Sequence, residues 1–268
     1  PQASKASIKE LDLFRVDCTD FDFSDFTGLT TLDLGGGMIT AAQFNGIPQA
    51  SKASIKDLDL WNVNCTGFEF SDFTGLTTLD LSYATITAAQ FNAIPQASKA
   101  SIKDLNLTRV DCTDFDFSDF TGLTSLNLWA ATITAAQFNA ISQAIKASIN
   151  QLHLGSVNCK GFDFSAFTGL TTLKLFGATI TAEQFNAIPQ ASKASIKELD
   201  LRGVNCTDFD LSDFTGLTTL KLSFATITAA EFNAIPQASK ASIKDLNLRG
   251  VNCTGFDLTG FQPGVIRR

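Results

Sequence analysis

The feature that most limits what this chain can fold into is its repetition. Copies begin at Pro1, Pro48, Pro95, Ser142, Pro189 and Pro236, a strict period of 47 residues, and the sixth copy breaks off into "TGFQPGVIRR". A period of this size implies supersecondary blocks that bury their apolar faces only by stacking on one another. The expectation is one array over residues 1–268, built of 47-residue double repeats, rather than a set of globular domains. Apolar residues make up 44% of the chain and 24 residues are phenylalanine, enough for a continuous core, while a charged fraction of only 18% argues against a disordered polymer. The chain opens in mid-repeat and neither end carries a recognisable polar cap, so a fragment, or a processed or engineered product, is expected.

Each copy contains two alternating patterns. In "SIKDLDLWNVNCTGFEFSDF" the apolar residues are Ile55, Leu58, Leu60, Val63 and Cys65; in "TGLTTLDLSYATITAAQFNAI" they are Leu76, Leu79, Leu81, Ala84 and Ile86. Leu-x-Leu is the period-two signature of a short strand with one buried face. The second pattern continues into "TAAQFNAIPQASKAS", where Thr87 suits an N-cap and Phe91 and Ile94 share a helical face, predicting one short helix that ends or kinks near Pro95. The first runs instead through "TGFEFSDFTG", where Gly67, Ser71, Asp72 and Gly75 interrupt any helix and Phe68, Phe70 and Phe73 turn inward.

These residues carry a resemblance. "LxxLxLxxVxC" and "LxxLxLxxAxI" resemble the strand motif of leucine-rich repeats, and "ITAAQFNAIPQASKASIKDLDL" is similar to the helix-bearing repeat of the ribonuclease-inhibitor-like subtype. Eleven motifs start at Ile8, Leu29, Ile55, Leu76, Ile102, Leu123, Ile149, Leu170, Ile196, Leu217 and Ile243, alternating 21- and 26-residue repeats. The resemblance implies an α/β solenoid, a right-handed superhelix with a parallel sheet on its concave face and short helices on alternate rungs of the convex face. Strands lie about 4.8 Å apart and a helix is about 10 Å across, so helices on every second rung imply shallow curvature. The family's asparagine at the ninth motif position is replaced, mostly by Val or Ala.

Against this fixed frame, the variation concentrates at motif positions 7 and 8. Position 7 reads Phe14, Gly35, Trp61, Ser82, Thr108, Trp129, Gly155, Phe176, Arg202, Ser223 and Arg249; position 8 reads Arg15, Gly36, Asn62, Tyr83, Arg109, Ala130, Ser156, Gly177, Gly203, Phe224 and Gly250. Both tryptophans and the single tyrosine fall in these columns, among arginines and glycines, a mixture that resembles a paratope. The resemblance implies that both columns lie on the concave surface. The alternative is that they simply tolerate change and hold aromatics as cross-strand pairs.

Other chemistry is sparse. Cys18, Cys65, Cys112, Cys159, Cys206 and Cys253 recur once per copy, roughly 10 Å apart by strand spacing, beyond the ~7 Å that a disulfide spans. They read as buried free thiols, which mildly favours a reducing compartment. The single histidine, His153, falls in a surface column and reads as solvated, so no convergent catalytic set presents itself. At position 5, Asp12, Asp33, Asp59 and Asp80 give way to Asn106, Asn127, His153, Lys174, Asp200, Lys221 and Asn247. These aspartates read as solvated carboxylates that deter edge pairing, with calcium ligation by Asp12 and Asp33, or by Asp59 and Asp80, as the alternative. Asn64, Asn205, Asn252 and Asn106 match glycosylation acceptors.

With 27 acidic and 20 basic residues, the formal charge of −7 disfavours nucleic acid, and no apolar run approaches the roughly 20 residues that span a bilayer. The expected function is a non-enzymatic recognition module, without cofactor or metal, that binds a protein, peptide or glycan on its concave face. The residues expected to bind are Phe14, Arg15, Trp61, Asn62, Tyr83, Thr108, Arg109, Trp129, Phe176, Arg202, Phe224 and Arg249. The alternatives are a structural protein that self-associates end to end and an engineered consensus scaffold.

Overall fold

A computed structural model describes residues 5–268. Its strands are β1 Glu10–Asp12, β2 Thr31–Asp33, β3 Asp57–Asp59, β4 Thr78–Asp80, β5 Asp104–Asn106, β6 Ser125–Asn127, β7 Gln151–His153, β8 Thr172–Lys174, β9 Glu198–Asp200, β10 Thr219–Lys221, β11 Asp245–Asn247 and β12 Ile266–Arg267. They form a parallel sheet ordered as they occur in the chain. The Leu-x-Leu motif accounts for eleven of them. The twelfth comes from the tail "VIRR": Val265 and Arg267 carbonyls accept from Leu246 and Leu248 N–H, and the Arg267 guanidinium pairs with Asp245.

The chain divides into two compact units, Pro1–Leu126 with Ala131–Ile133, and Asn127–Ala130 with Thr134–Arg268. In the first, register pairs leucine with leucine: Leu32 with Leu58, Leu58 with Leu79, Leu79 with Leu105. All four are buried, while the residues between them face out, as the period-two pattern requires.

On the opposite side the structure departs from expectation. Each junction between copies carries two short helices, not one: Ala88–Asn92 closes the second copy and Gln96–Ser101, with Pro95 as its N-cap, opens the third. Proline lacks an N–H and fixes φ, so it ends one helix and suits the start of the next. Helices of five or six residues lie far below the ~12–15 that hold in isolation, so tertiary contacts must hold these.

Four such contacts recur. Thr87 and Gln90 form a capping box, and the Gln90 amide also donates to the Cys65 and Phe68 carbonyls of the preceding motif. Phe91, fully buried, stacks on Phe115 at 4.1 Å and on Phe120 at 5.4 Å. The Ser98 hydroxyl, also buried, accepts from Leu76 N–H and donates to the Phe73 carbonyl. The buried Lys99 ammonium donates to the Asn92 carbonyl at the end of the first helix, where positive charge suits the helix dipole.

Asparagine serves the repeat in an unforeseen place. Asn92 donates its amide to the Asp114 carbonyl and accepts from Asp116 N–H, tying the helix to the return arm of the next copy; Asn45 does the same to Gly67 and Glu69.

The second unit repeats this packing: Phe185 stacks on Phe209 and Phe232 on Phe256, each at 4.1 Å, with Ser192 and Ser239 bridging backbone groups. Two of the substitutions in the irregular fourth copy fall at its opening helix, Gln143–Ser148. Ser142 replaces proline and supplies the side-chain cap that proline cannot, accepting from Ile145 N–H, and Ile145 fills the buried serine position.

Candidate functional site

After each Leu-x-Leu the chain leaves the strand through a four-residue turn, closed for example by Val63 N–H to the Leu60 carbonyl at 3.1 Å and Ala84 N–H to Leu81 at 2.9 Å. Positions 7 and 8 are its two central residues. Position 8 is left-handed in all eleven motifs, with φ from 53° at Ala130 to 71° at Gly250. Positive φ at the third turn residue is the type II pattern, which favours glycine or asparagine.

Position 5 completes the turn. The carboxylate of Asp12, Asp33, Asp59 or Asp80 accepts the N–H of Phe14, Gly35, Trp61 or Ser82 at 2.7–2.9 Å, and Asn106 accepts from Thr108 at 3.1 Å. In the second unit Asn127, Asp200 and Asn247 accept from Trp129, Arg202 and Arg249. These aspartates are therefore turn caps and not merely solvated charges. Position 10 repeats the device: Asn64 and Asn205 accept both the N–H and the hydroxyl of the threonine two residues on. Asn106 is further engaged, donating to Asp80 at 2.8 Å.

In the first unit the variable columns bring together Phe14, Arg15, Trp61, Tyr83 and Arg109. Phe14 stacks on Trp61 at 5.6 Å, Trp61 meets Tyr83 edge-on at 6.3 Å, and the Arg15 guanidinium lies 5.1 Å from the Phe14 ring and 5.4 Å from Trp61. Arg109 covers Tyr83 at 5.4 Å. Trp61 is half-buried because it lies across Gly36, where an added Cβ would come within 2.8 Å of its ring. Asn62 is exposed beside this strip. Thr108 corrects the expectation: it is 6% exposed, its hydroxyl turned back onto Asn106, and so it offers no contact surface.

The second unit assembles differently. Trp129 is half-buried against Gly155, Arg202 stacks over the exposed Phe176 ring at 4.7 Å while pairing with Asp200 at 2.6 Å, and Phe224, 65% exposed, lies over Gly250. Arg249 is exposed. In both units, then, large rings of the variable columns lie over glycines of the same columns in adjoining motifs.

Charge separates the two sheet faces. Outward strand positions 3 and 5 of the first unit hold Glu10, Asp57, Asp104, Asp12, Asp33, Asp59 and Asp80, with no lysine or arginine among them. A groove of about 300 Å³ is lined by Asp33, Asp57, Asp59 and Asp80 with Thr31 and Thr78. Among the described residues no group of three or more His, Cys, Asp or Glu side chains is arranged to hold a metal ion.

Burial pushes the Asp59 carboxyl up from 3.8 to about 6, opposed by the Trp61 N–H bond and reinforced by Asp80 and Asp33. Between those values the folded protein holds a proton that the unfolded chain has released, so Asp59 makes stability fall as pH rises through this window. The carboxylates held low by turn bonds, such as Asp17, Asp111 and Asp116, lose their contribution only below the ordinary carboxylate range. Asp59→Asn, which keeps an acceptor for Trp61, is thus expected to raise the melting temperature at pH 7.5 and to raise it less at pH 4.5, early in that window. Thermal melts of both proteins at the two pH values check this.

Four of the thiols and the histidine are withdrawn from solvent chemistry. Cys65, Cys112, Cys159 and Cys206 are buried free thiols pushed up to about 12 by burial, while Cys253 is only half-buried. His153 also corrects its expectation. It is half-buried, its Nε2 has no hydrogen-bond partner, and burial, together with the Lys174 charge, lowers it to about 4, so it is neutral rather than a solvated titrating group.

No protein-family model matches the sequence, and no curated protein matches it. Among the described residues no helix is long and apolar enough to cross a membrane. Solved structures do match. An internalin (inlF) from Listeria monocytogenes superposes with a TM-score of 0.58 at 14% identity, over 97% of this chain and 85% of its own. The leucine-rich-repeat protein LIC12759 of Leptospira interrogans gives 0.53 at 15% identity, over 92% and 68%. The functional domain of InlJ from Listeria monocytogenes, described as including a cysteine ladder, gives 0.56 at 14% identity, over 92% and 59%. Parallel strands in chain order, Leu-x-Leu at every rung and these neighbours together identify the fold as a leucine-rich-repeat solenoid.

Proposed function

We propose that the chain is a non-enzymatic recognition module whose variable turn columns contact a protein or peptide ligand. One observation carries this reading: position 8 is left-handed in every motif, yet seven of its eleven residues bear side chains, including Tyr83 and Phe224. An L-residue there costs roughly 1–2 kcal/mol relative to its ordinary conformations. Glycine, free of that cost, occupies the same column at Gly36, Gly177, Gly203 and Gly250. Bulky residues retained where the fold favours glycine point to a demand outside the fold. Exposed aromatics and arginines in one column are also the residue types that dominate binding energy at interfaces.

A non-enzymatic role agrees with the withdrawn chemistry: neutral His153 and buried, protonated thiols supply neither an activated nucleophile nor an accessible base. The likeness to an internalin concerns the fold alone.

Phe224→Gly tests the reading without a ligand. Its ring is mostly exposed, so relief of the backbone should outweigh lost contacts and the entropy that glycine costs, raising stability by roughly 0.5–1 kcal/mol in denaturant unfolding. A loss of more than about 1 kcal/mol would make Phe224 a part of the fold and remove the argument.

A further inference from the structure

We propose that the sheet face of the first unit docks a short, extended, arginine-rich peptide, with its guanidinium groups against the Asp33, Asp57 and Asp59 carboxylates and beside the Trp61 ring. The proposal rests on the recognition reading and adds the charge class of the ligand.

Charge complementarity carries it. Among the described residues, none of the seven carboxylates on this face enters an ion pair. Apart from the turn bonds and the Asn106 amide on Asp80, the row is unmatched. The second unit, copied from the same frame, satisfies its own face: Lys174 and Lys221 pair with Glu198 at 3.4 and 2.8 Å, Arg202 with Asp200, and Arg267 with Asp245. Position 5 holds Lys174 and Lys221 there, and of the two faces only that of the first unit carries carboxylates without a lysine or arginine among them. Carboxylates one strand spacing apart, about 4.8 Å, repel one another, and a cationic partner relieves that cost.

Arginine is favoured over lysine by the adjoining aromatic strip. Arg15 and Arg109 already stack on Phe14, Trp61 and Tyr83 at 5.1–5.4 Å, so these rings accept guanidinium faces, and a planar fork also pairs with carboxylates two bonds at a time. Length comes from the sheet. Strands β1 to β5 span about 19 Å, which an extended peptide covers with about six residues.

Fluorescence anisotropy of labelled hexa-arginine with the full chain is the test. Binding is expected at 50 mM salt, weakening about tenfold by 300 mM, severalfold weaker for hexa-lysine and absent for hexa-glutamate. The D33N/D57N/D59N variant keeps the turn acceptors, so it should melt no lower than the parent while losing about tenfold in affinity. Trp61→Leu should lose severalfold. The charge-matched control D116N/D163N/D210N, changed on the return arms, should stay within about twofold of the parent.

Equal losses in both triple variants would reduce the effect to net charge and overturn the proposal. So would displacement of hexa-arginine by calcium chloride beyond the effect of matched ionic strength, which would assign the carboxylates to a divalent cation. If hexa-arginine fails to bind the parent while Phe224→Gly still gains stability, the ligand class falls and the recognition reading stands.

Discussion

Replacing Phe91 by alanine is expected to remove about 3–5 kcal/mol of unfolding free energy, read as a lower midpoint in denaturant. The side chain is fully buried and meets Phe115, Phe117 and Phe120 of the next copy at 4.1, 5.6 and 5.4 Å between ring centroids. Its helix, Ala88–Asn92, has five residues and cannot hold itself, so the ring is the anchor that keeps that segment on the sheet. Truncation leaves a cavity walled by three rings that cannot all move inward, and the helix loses its main reason to form. A change below about 1.5 kcal/mol would mean that the capping box and the Asn92 bonds to the return arm hold the segment without it.

Gly75→Ala is the second large effect, a loss of about 1–3 kcal/mol measured in the same way. A Cβ on Gly75 would lie 2.6 Å from the Ala53 carbonyl oxygen and 3.0 Å from Lys56 Nζ. The lysine can swing aside; the backbone carbonyl at the end of the Gln49–Ser54 helix cannot move without disturbing its turn. Gly28 and Gly216 meet carbonyls of Ala6 and Ala194 in the same way, at 2.6 and 2.5 Å. The glycine of "TGL" is thus fixed by close approach between successive motifs of one copy, and its role as a helix breaker is secondary. An unchanged midpoint would show that the two motifs can part slightly at no cost.

Much of the frame is legible in the sequence because each copy repeats the same one-dimensional pattern. Leu58, Leu60, Leu79 and Leu81 announce strands with one buried face, Thr87 announces a helix start, and six equivalent cysteines announce thiols inside the stack. Pro95 misleads because a proline can close one helix or open another. The chain beyond it could leave the helix layer or begin a second helix, and Ser98 and Lys99 hold it there through groups of the neighbouring rungs. Thr108 and His153 mislead for a related reason. Column membership predicts direction, not burial, and side chains in adjoining rungs decide how much of each remains open. Trp61 and Trp129 settle onto Gly36 and Gly155, a pairing between columns that no single copy displays.

By itself the sequence determined the period, the parallel strands, the inward cysteines and the two columns where variation collects, since these arise from spacing within one copy and from stacking of like on like. Only the tertiary structure decided that position 5 caps the turn, that position 8 is left-handed whatever residue occupies it, and that one unit pairs its charges while the other leaves seven carboxylates without an ion pair. The charge pairing belongs to side chains of different rungs meeting across a strand spacing of about 4.8 Å, whereas the cap and the left-handed residue lie within one turn and follow from how the backbone leaves the strand, which the variable columns do not spell out.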